Sequence, residues 1–473
     1  MEKTKRVLAA LEPARVFYYF EELSGIPHGS GNVGKAADYL VEFARAHGLE
    51  YLRDGAENVV IRKPASPGYE DAPTVILQGH TDMVCANTAD SAHDFLRDGL
   101  TLVTDGETIR AEGTTLGADD GIAVAMALAL LEDPSAEHPA LEALFTSDEE
   151  IGLLGAKAFD CSNLKGKLLL NMDSEDEGVL TVSCAGGATV RLTVPFKREA
   201  MDGEVYTVEI GGLTGGHSGA EIHKGRANAA VLAGELLRES GAGLISIEGG
   251  SADNAIMPSC KLILCGGSVP NAARVCEEKF RARYPEEDIR LTVTPAGQTG
   301  AAVLSAPLGE FLARAPYGVQ AMSQEIDGLV QTSLNLGILR TESDALVMTY
   351  SVRSSVEKEK DELITVLTSL AAELGGDAQV SGAYPAWEYR KESPLREHMC
   401  ATFERLYGRP MRVEAIHAGL ECGLFAGGIP GLDAVSFGPD MRSIHTPEES
   451  LSVSSVARTF TYLREVLRGL RRG

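Results

Sequence analysis

The sequence has few of the features that mark secreted, membrane or nucleic-acid-binding proteins. Lysine and arginine number 43 against 68 acidic residues, and the net charge of −25 argues against nucleic acid and anionic membranes as partners. The longest apolar run, Gly121–Leu131, has about half of the length that a bilayer requires. Glu12, Pro13 and Arg15 interrupt the first apolar stretch, so it has no secretory pattern. We therefore expect a cytoplasmic protein.

Paired cysteines are also missing. The 8 cysteines are scattered along the chain, and no two of them form a Cys-x-x-Cys pair. This pattern favours free, buried thiols in a reducing compartment over a disulfide framework.

The predicted elements indicate that the first part of the chain forms an α/β domain. The runs 74–78, 141–147 and 166–172 are apolar and typical of buried strands, and the segment 121–132 has the pattern of a core helix. Because helices separate these strands, we expect a central, mostly parallel sheet that is covered on both faces.

A second domain is expected because 473 residues exceed what one hydrophobic core normally organises. After residue 185 the predicted order becomes β-α-β-β-α-β, which is typical of a smaller α+β domain. The pattern of the first domain returns near residues 384–395. We therefore predict an α+β domain over 186–385, inserted between the two parts, 1–185 and 386–473, of the α/β domain.

Acidic and imidazole side chains follow the predicted strands of the first domain at their carboxyl ends, where open α/β sheets place their sites. Taken singly, each is as well explained by a turn, a helix cap or a surface loop. Together they mix carboxylates and imidazoles as zinc prefers. These residues are His80, Asp82, Glu149, Glu150, Asp173 and His445.

The number of candidate ligands predicts two metal ions. Two histidines and three carboxylates exceed what one catalytic zinc uses, and they suit two ions about 3.5–4 Å apart if one carboxylate bridges. Asp119 is the natural bridge, since it lies at the start of the 121–132 helix, where exposed N–H groups favour a carboxylate. The predicted ligands are His80, Asp119, Glu150, Asp173 and His445.

Two further acids have predicted catalytic roles. Asp82 lies two residues after His80, so on an extended segment both side chains point the same way, and Asp82 can accept a hydrogen bond from the imidazole. Glu149 precedes Glu150, points elsewhere, and is predicted to act as the general base on a metal-held water.

These motifs resemble the di-zinc exopeptidases, a group that includes carnosinases, aminoacylases and carboxypeptidase-G2-like enzymes. The chain is more closely similar to the aminoacyl-histidine dipeptidase family (PepD, cytosolic non-specific dipeptidase), and this resemblance covers nearly all of it. The motifs that carry it are SGIPHGSGN, LQGHTDMVC, GTTLGADDGIAVA, FTSDEEIGLLGA, MDSED, GGLTGGHSG, DNAIMPS, HAGLECGLF and IHTPEE.

The resemblance implies a di-zinc exopeptidase-like catalytic domain with an inserted lid domain. It also implies Asp119 as the bridge with a cis peptide bond after it, Glu149 as the base, and His445 on the metal opposite. In the lid it implies that His217 and Asn254 contact the scissile carbonyl and the substrate, that Arg353 binds the substrate carboxylate, and that Gly419 makes a backbone contact to the substrate. A homodimer through the lid domain is implied as an option.

The function expected from these features is hydrolysis of Xaa-His and other unblocked dipeptides by a metal-bound water that Glu149 activates. The expected cofactor is two divalent ions, for which zinc is the preferred assignment and cobalt or manganese are the alternatives. Other open functions are an N-acyl-amino-acid amidohydrolase or a carboxypeptidase on the same fold, and an inactive metal-binding scaffold.

Overall fold

The chain folds into two compact units. The computed structural model describes residues 6–305 and 307–471. The first unit comprises the described residues of Met1–Ser183, Tyr389–Ala415 and Leu420–Gly473, and the second comprises those of Cys184–Glu388 and Ile416–Gly419. The predicted fold class is confirmed, since an α/β unit is interrupted by a second unit of sheet and helices.

Helices and strands alternate through the described residues. The helices are α1 (Ala14–Ser24), α2 (Gly34–Ala46), α3 (Ala118–Glu132), α4 (Leu154–Ala158), α5 (Ala229–Ser240), α6 (Val269–Arg283), α7 (Leu308–Arg314), α8 (Glu357–Glu373), α9 (Pro394–Tyr407), α10 (Cys422–Gly428) and α11 (Val453–Gly469). The strands are β1 (Glu50–Arg53), β2 (Val59–Lys63), β3 (Val75–His80), β4 (Leu102–Thr104), β5 (Thr108–Ala111), β6 (Leu141–Thr146), β7 (Leu168–Asn171), β8 (Val179–Cys184), β9 (Gly186–Pro195), β10 (Arg198–Gly211), β11 (Gly216–His217), β12 (Gly243–Gly249), β13 (Ala255–Ile256), β14 (Cys260–Cys265), β15 (Arg290–Leu304), β16 (Gly318–Met322), β17 (Val330–Thr341), β18 (Ala345–Ser354), β19 (Asp377–Tyr384), β20 (Arg412–Ile416), β21 (Asp433–Ser436), β22 (Met441–Arg442) and β23 (Ser450–Ser452).

The first unit is built on an 8-stranded sheet with the order β1-β2-β6-β3-β7-β21-β8-β20. The neighbours β6 and β3, β3 and β7, and β7 and β21 pair in parallel. Antiparallel strands flank this centre, since β1 pairs β2, β2 pairs β6 and β21 pairs β8 in that sense. The carboxyl ends of the four parallel strands therefore lie at one edge of the sheet, where the predicted site residues follow them.

Helix α3 is the central helix of the first unit. Its residues from Ala118 to Leu131 are all buried, and it packs against α1 and β3. A helix that is apolar on every side belongs in a protein core, as the sequence predicted for this segment. Throughout residues 6–305 and 307–471, every helix is too short or too polar to cross a lipid bilayer.

The second unit is built on an antiparallel sheet with the order β15-β10-β14-β12-β17-β18-β9-β19, in which β16 also pairs with β17. Helices α5, α6 and α8 pack against strands of this sheet, and α7 packs against α5. A separate two-stranded sheet pairs β11 with β13 and places His217 opposite Ala255.

Candidate metal centre

Six of the sequence-predicted side chains converge at the carboxyl edge of the first unit's sheet. Their nitrogen and oxygen atoms form overlapping groups of three, within which the ligand atoms all lie within 4.8 Å of one another. The groups are His80 with Asp119 and Asp173, Asp119 with Glu150 and His445, and His80 with Glu149 and Glu150. The first two groups share Asp119, so the geometry offers two neighbouring cation positions joined by one carboxylate.

Asp119 faces a different histidine with each of its oxygens. Its Oδ1 lies 3.1 Å from His80 Nε2, and its Oδ2 lies 3.1 Å from His445 Nε2. Burial opposes ionisation of Asp119, but the hydrogen bonds to His445 and His80 hold the pKa of its carboxyl well below the ordinary value. An ionised carboxylate whose two oxygens each face a different imidazole is suited to bridge two cations.

His80 turns its Nδ1 toward Asp82. Its Nδ1 lies 3.0 Å from the main-chain oxygen of Asp82, whereas the Asp82 carboxylate is 3.5 Å away. The hydrogen bond to the carbonyl leaves Nε2 facing the cluster, as a metal ligand requires. The Asp82 carboxylate also accepts hydrogen bonds from the backbone N–H groups of Glu149, at 2.9 Å, and Glu150, at 3.3 Å. Asp82 thus fixes the backbone that carries the next two acids.

Glu149 lies inside the cluster, and the prediction that it points elsewhere is wrong. It groups with His80 and Glu150, because the turn after β6 brings both glutamates to the same edge. Burial raises the pKa of Glu149 to about 8, with His80 opposing and the charges of Glu421 and Glu150 adding to the shift. A carboxyl group with a raised pKa beside candidate metal ligands has the properties of a general base or acid.

The backbone around Asp119 is held by a residue that the sequence analysis did not single out. The buried carboxylate of Glu449 accepts hydrogen bonds from the N–H groups of Leu116, at 2.7 Å, Gly117, at 3.1 Å, Ala118, at 2.8 Å, and Asp119, at 3.4 Å. The carboxylate satisfies the free N–H groups at the start of α3. Because Glu449 lies four residues after His445, it ties the His445 segment to the Asp119 segment.

Asp120 occupies a buried position beneath the ligands. The peptide bond between Asp119 and Asp120 is cis, as the resemblance implied. Oδ2 of Asp120 accepts a hydrogen bond from the N–H of His80 at 3.3 Å. Gly79 leaves room for this contact, since a Cβ atom at that position would lie 2.5 Å from Oδ2 of Asp120.

The second unit gathers the other predicted site residues around Arg353. Arg353 Nη1 donates to the hydroxyl of Tyr384 at 3.0 Å, and its buried Nε has no hydrogen-bond partner. Burial and the charge of Arg353 lower the pKa of His217. Nδ1 of His217 accepts hydrogen bonds from the backbone N–H groups of the turn that follows it. Asn254 is next to this turn, since its carbonyl accepts the N–H of Ser218 at 2.8 Å.

Gly419 lies against the tyrosine that contacts Arg353. A Cβ atom on Gly419 would be 2.7 Å from Cε2 of Tyr384, and one on Gly187 would be 2.5 Å from the Tyr384 hydroxyl. The ring therefore lies between two glycines, and a side chain at either position would have to displace it. Within the second unit, His217, Arg353 and Gly419 belong to one neighbourhood, which the sequence patterns alone did not define.

The donor set of the first unit fits divalent cations. Imidazole nitrogens and carboxylate oxygens are ligands that zinc accepts, and both histidines turn Nε2 to the cluster. Oε1 of Glu150 is buried and lies 2.9 Å from His445 Nε2, so this nitrogen has carboxylate oxygens of both Asp119 and Glu150 beside it. Three carboxylates against two imidazoles also leave buried negative charge that cations would neutralise.

Comparison with known proteins gives matches over nearly the whole chain. The pattern of Peptidase family M20/M25/M40 matches residues 76–469. The cytosol non-specific dipeptidase of Escherichia coli (strain K12) is 34% identical over 479 aligned residues, which cover 98% of this chain and 98% of that protein.

Solved structures give the same result. The aminoacylhistidine dipeptidase of Vibrio alginolyticus matches with a TM-score of 0.91 and 34% identity, covering 99% of this chain and 98% of that one. The aminopeptidase PepT of Bacillus cereus matches with a TM-score of 0.60 and 16% identity over 98% of this chain and 100% of that one, a likeness of fold alone. The expected resemblance to the aminoacyl-histidine dipeptidases is confirmed.

Proposed function

The chain belongs to Peptidase family M20/M25/M40, and from this premise we propose that it hydrolyses unblocked dipeptides, Xaa-His among them. The family confirms the predicted class of enzyme, a metallopeptidase. The observation that carries the proposal is the pair of ligand groups that share Asp119 at the carboxyl edge of the sheet. The two full-length relatives, one a non-specific dipeptidase and one an aminoacylhistidine dipeptidase, support the choice of substrate.

The cofactor of the proposed reaction is two divalent cations, zinc first, with cobalt and manganese as alternatives. When bound, such ions lower the pKa of a coordinated water and polarise the peptide carbonyl. The residues that would hold them are His80, Asp119, Glu150, Asp173 and His445. Asp119 would be shared, because each of its oxygens faces a different histidine.

Glu149 performs the proton transfers in this proposal. Its carboxylate accepts a proton from the attacking water and donates it to the amine that leaves. Asp82 supports this role by accepting a hydrogen bond from the backbone N–H of Glu149 at 2.9 Å, which fixes the position of the Glu149 backbone. Since the raised pKa of the Glu149 carboxyl, about 8, lies close to neutral pH, the group can both accept and release a proton.

The second unit supplies the proposed substrate contacts. His217 and Asn254 would contact the scissile carbonyl and the substrate, and Gly419 would offer its backbone. Arg353 would bind the substrate's carboxylate, and its buried, unpartnered Nε supports this role, because a guanidinium can donate two parallel hydrogen bonds to a carboxylate.

We propose that residues 1–185 and 386–473 act as the catalytic domain and residues 186–385 as the lid. A cytoplasmic location and a homodimer through the lid remain part of the proposal.

The test is a panel of free and acylated dipeptides, assayed after elemental analysis of the purified protein. About two divalent ions per chain are expected, with the second held more weakly. Turnover of Ala-His with little turnover of N-acetyl-histidine is the expected result. The reverse preference would identify an N-acyl-amino-acid amidohydrolase, metal-bound protein without activity would identify a scaffold, and full activity with at most one ion would refute the two-metal site.

A further inference from the structure

A hydrogen-bonded series of buried polar side chains lies next to the candidate metal centre, on the strands that lead to it. Asn171 Nδ2 donates to Gln78 Oε1 at 2.6 Å, and Gln78 Nε2 donates to Glu421 Oε2 at 2.5 Å. The hydroxyl of Thr146 donates to the same oxygen of Glu421 at 2.7 Å. All four side chains are fully buried, with a relative exposure of 0% each.

Three of these residues lie on the adjacent parallel strands that lead to the centre. Gln78 is on β3, two residues before His80, and Asn171 ends β7, two residues before Asp173. Thr146 ends β6, three residues before Glu149 and opposite His80 in the strand register. The hydrogen-bonded series therefore joins the three strands two or three residues before each one delivers a functional side chain.

Glu421 is the member that comes from outside these strands. It immediately precedes α10 and is 343 residues from Gln78 and 275 residues from Thr146 along the chain. Its second oxygen, Oε1, is buried without a hydrogen-bond partner. Burying this carboxyl with one oxygen unpaired carries a cost, which the hydrogen bonds from Gln78 and Thr146 to the other oxygen offset in part.

We propose that Glu421 is a positioning residue of the metal centre, which binds the ends of β3 and β6 together so that His80 and the Glu149–Glu150 pair converge. This inference rests on the proposed function. Glu421 acts through Gln78 and Thr146 and touches neither substrate nor metal. Outer partners of metal ligands fix the orientation of those ligands, and their loss typically weakens metal binding by about 10–100-fold.

The test compares Glu421→Leu with Glu421→Gln. The leucine removes the shared acceptor, whereas the glutamine carbonyl can still accept both hydrogen bonds. Glu142→Leu is the matched control, because Glu142 is a buried acid at the other end of β6 that accepts the N–H groups of Lys165 and Gly166. Each protein is stripped of metal, shown to be folded by circular dichroism and by its Tm, and titrated with Co²⁺ against a competing chelator.

Glu421→Leu is expected to raise the Kd for Co²⁺ by about 10–100-fold and to change the visible absorption of the bound Co²⁺. Glu421→Gln should keep the Kd for Co²⁺ within about threefold of the value for the unsubstituted protein, which is less than the loss expected for leucine. Its visible absorption should match that of the unsubstituted protein. Glu142→Leu should lower the Tm and leave the Kd and the spectrum unchanged. A folded Glu421→Leu with an unchanged Kd and spectrum overturns the proposal, and so does an equal loss of affinity in Glu142→Leu.

If Glu421→Leu does not fold, Thr146→Val decides, because at nearly constant volume it removes the hydroxyl that donates to Glu421 and accepts from Gln78. A severalfold rise in the Kd for Co²⁺ supports the proposal, and an unchanged Kd overturns it. The proposed function fails separately, when the unsubstituted protein binds fewer than two Co²⁺ ions or does not hydrolyse dipeptides.

Discussion

Three consecutive acids, Asp148, Glu149 and Glu150, allow one kind of substitution, from carboxyl to amide, to give three different results. Glu149→Gln removes the proposed base. Its backbone N–H stays anchored to Asp82, so the amide takes the same place as the carboxyl. The expected loss is therefore that of general-base catalysis, ~10²–10⁴ in kcat. This corresponds to about 3–5 kcal/mol of barrier at about 1.36 kcal/mol per tenfold.

The other two substitutions act on different properties. Glu150 lies 2.9 Å from His445 Nε2 within a ligand group, so Glu150→Gln should weaken metal binding by more than the ~10–100-fold that loss of an outer partner costs. Asp148 accepts the N–H of Gly31 at 2.6 Å and has a φ of 49°, a conformation that asparagine tolerates. Asp148→Asn should leave kcat and metal content nearly unchanged.

The assay combines elemental analysis with steady-state kinetics on Ala-His for all three variants. Glu149→Gln should retain both ions and show the loss in kcat. The assignment of the adjacent pair is wrong if Glu149→Gln loses metal while Glu150→Gln keeps it. A Glu149→Gln enzyme with near-normal kcat would remove the base from the mechanism.

Further predictions concern three other residues. Hydrogen bonds to Asp119 and Glu150 raise the pKa of His445 to about 10, so in metal-free protein this imidazole is protonated at neutral pH. Metal binding should therefore release a proton, and the affinity for metal should weaken as the pH falls below about 10. Calorimetry in two buffers of different ionisation enthalpy measures the proton release. Arg353→Lys should reduce kcat/KM for free dipeptides far more than for dipeptide amides, and equal losses would exclude carboxylate binding. His217→Ala should keep both metals and lose about 10²–10³ in kcat, the scale for one oxyanion donor. Activity regained in mixed dimers of His217→Ala and Glu149→Gln chains would place His217 across a dimer, and none in proven mixed dimers would place it in its own chain's site.

The strands and the candidate ligands could be predicted from sequence because each signal is local. Buried parallel strands are continuous apolar runs, and their sites follow them directly, which is how His80, Glu150 and Asp173 were found. The order in which the strands pair, with β6 beside β3 and antiparallel strands outside them, has no such local signal. The direction of the Glu149 side chain also has no local signal, because the turn after β6 sets it.

The residues that hold the ligands in place were missed for a related reason. Glu449 and Glu421 lie inside recognised motifs, IHTPEE and GLECG, but their partners are hundreds of residues away in the sequence. Spacing along a chain does not reveal such pairs. The available signal was that Glu421 stands between the apolar residues Leu420 and Cys422 next to an apolar helix, which is unusual for an acid unless it is paired.

The link between Glu449 and the start of α3 has a consequence for biosynthesis. A ribosome that has made Asp119 and Asp173 must still add the whole second unit before His445 and Glu449 emerge. At translation rates of about 5–20 residues per second, this interval is on the order of tens of seconds. During this interval the nascent chain has the acids of the candidate metal centre but lacks His445. It also lacks Glu449, whose carboxylate accepts hydrogen bonds from the N–H groups of residues 116–119. We therefore expect stable binding of two metal ions to be a late step, which follows synthesis of nearly the whole chain.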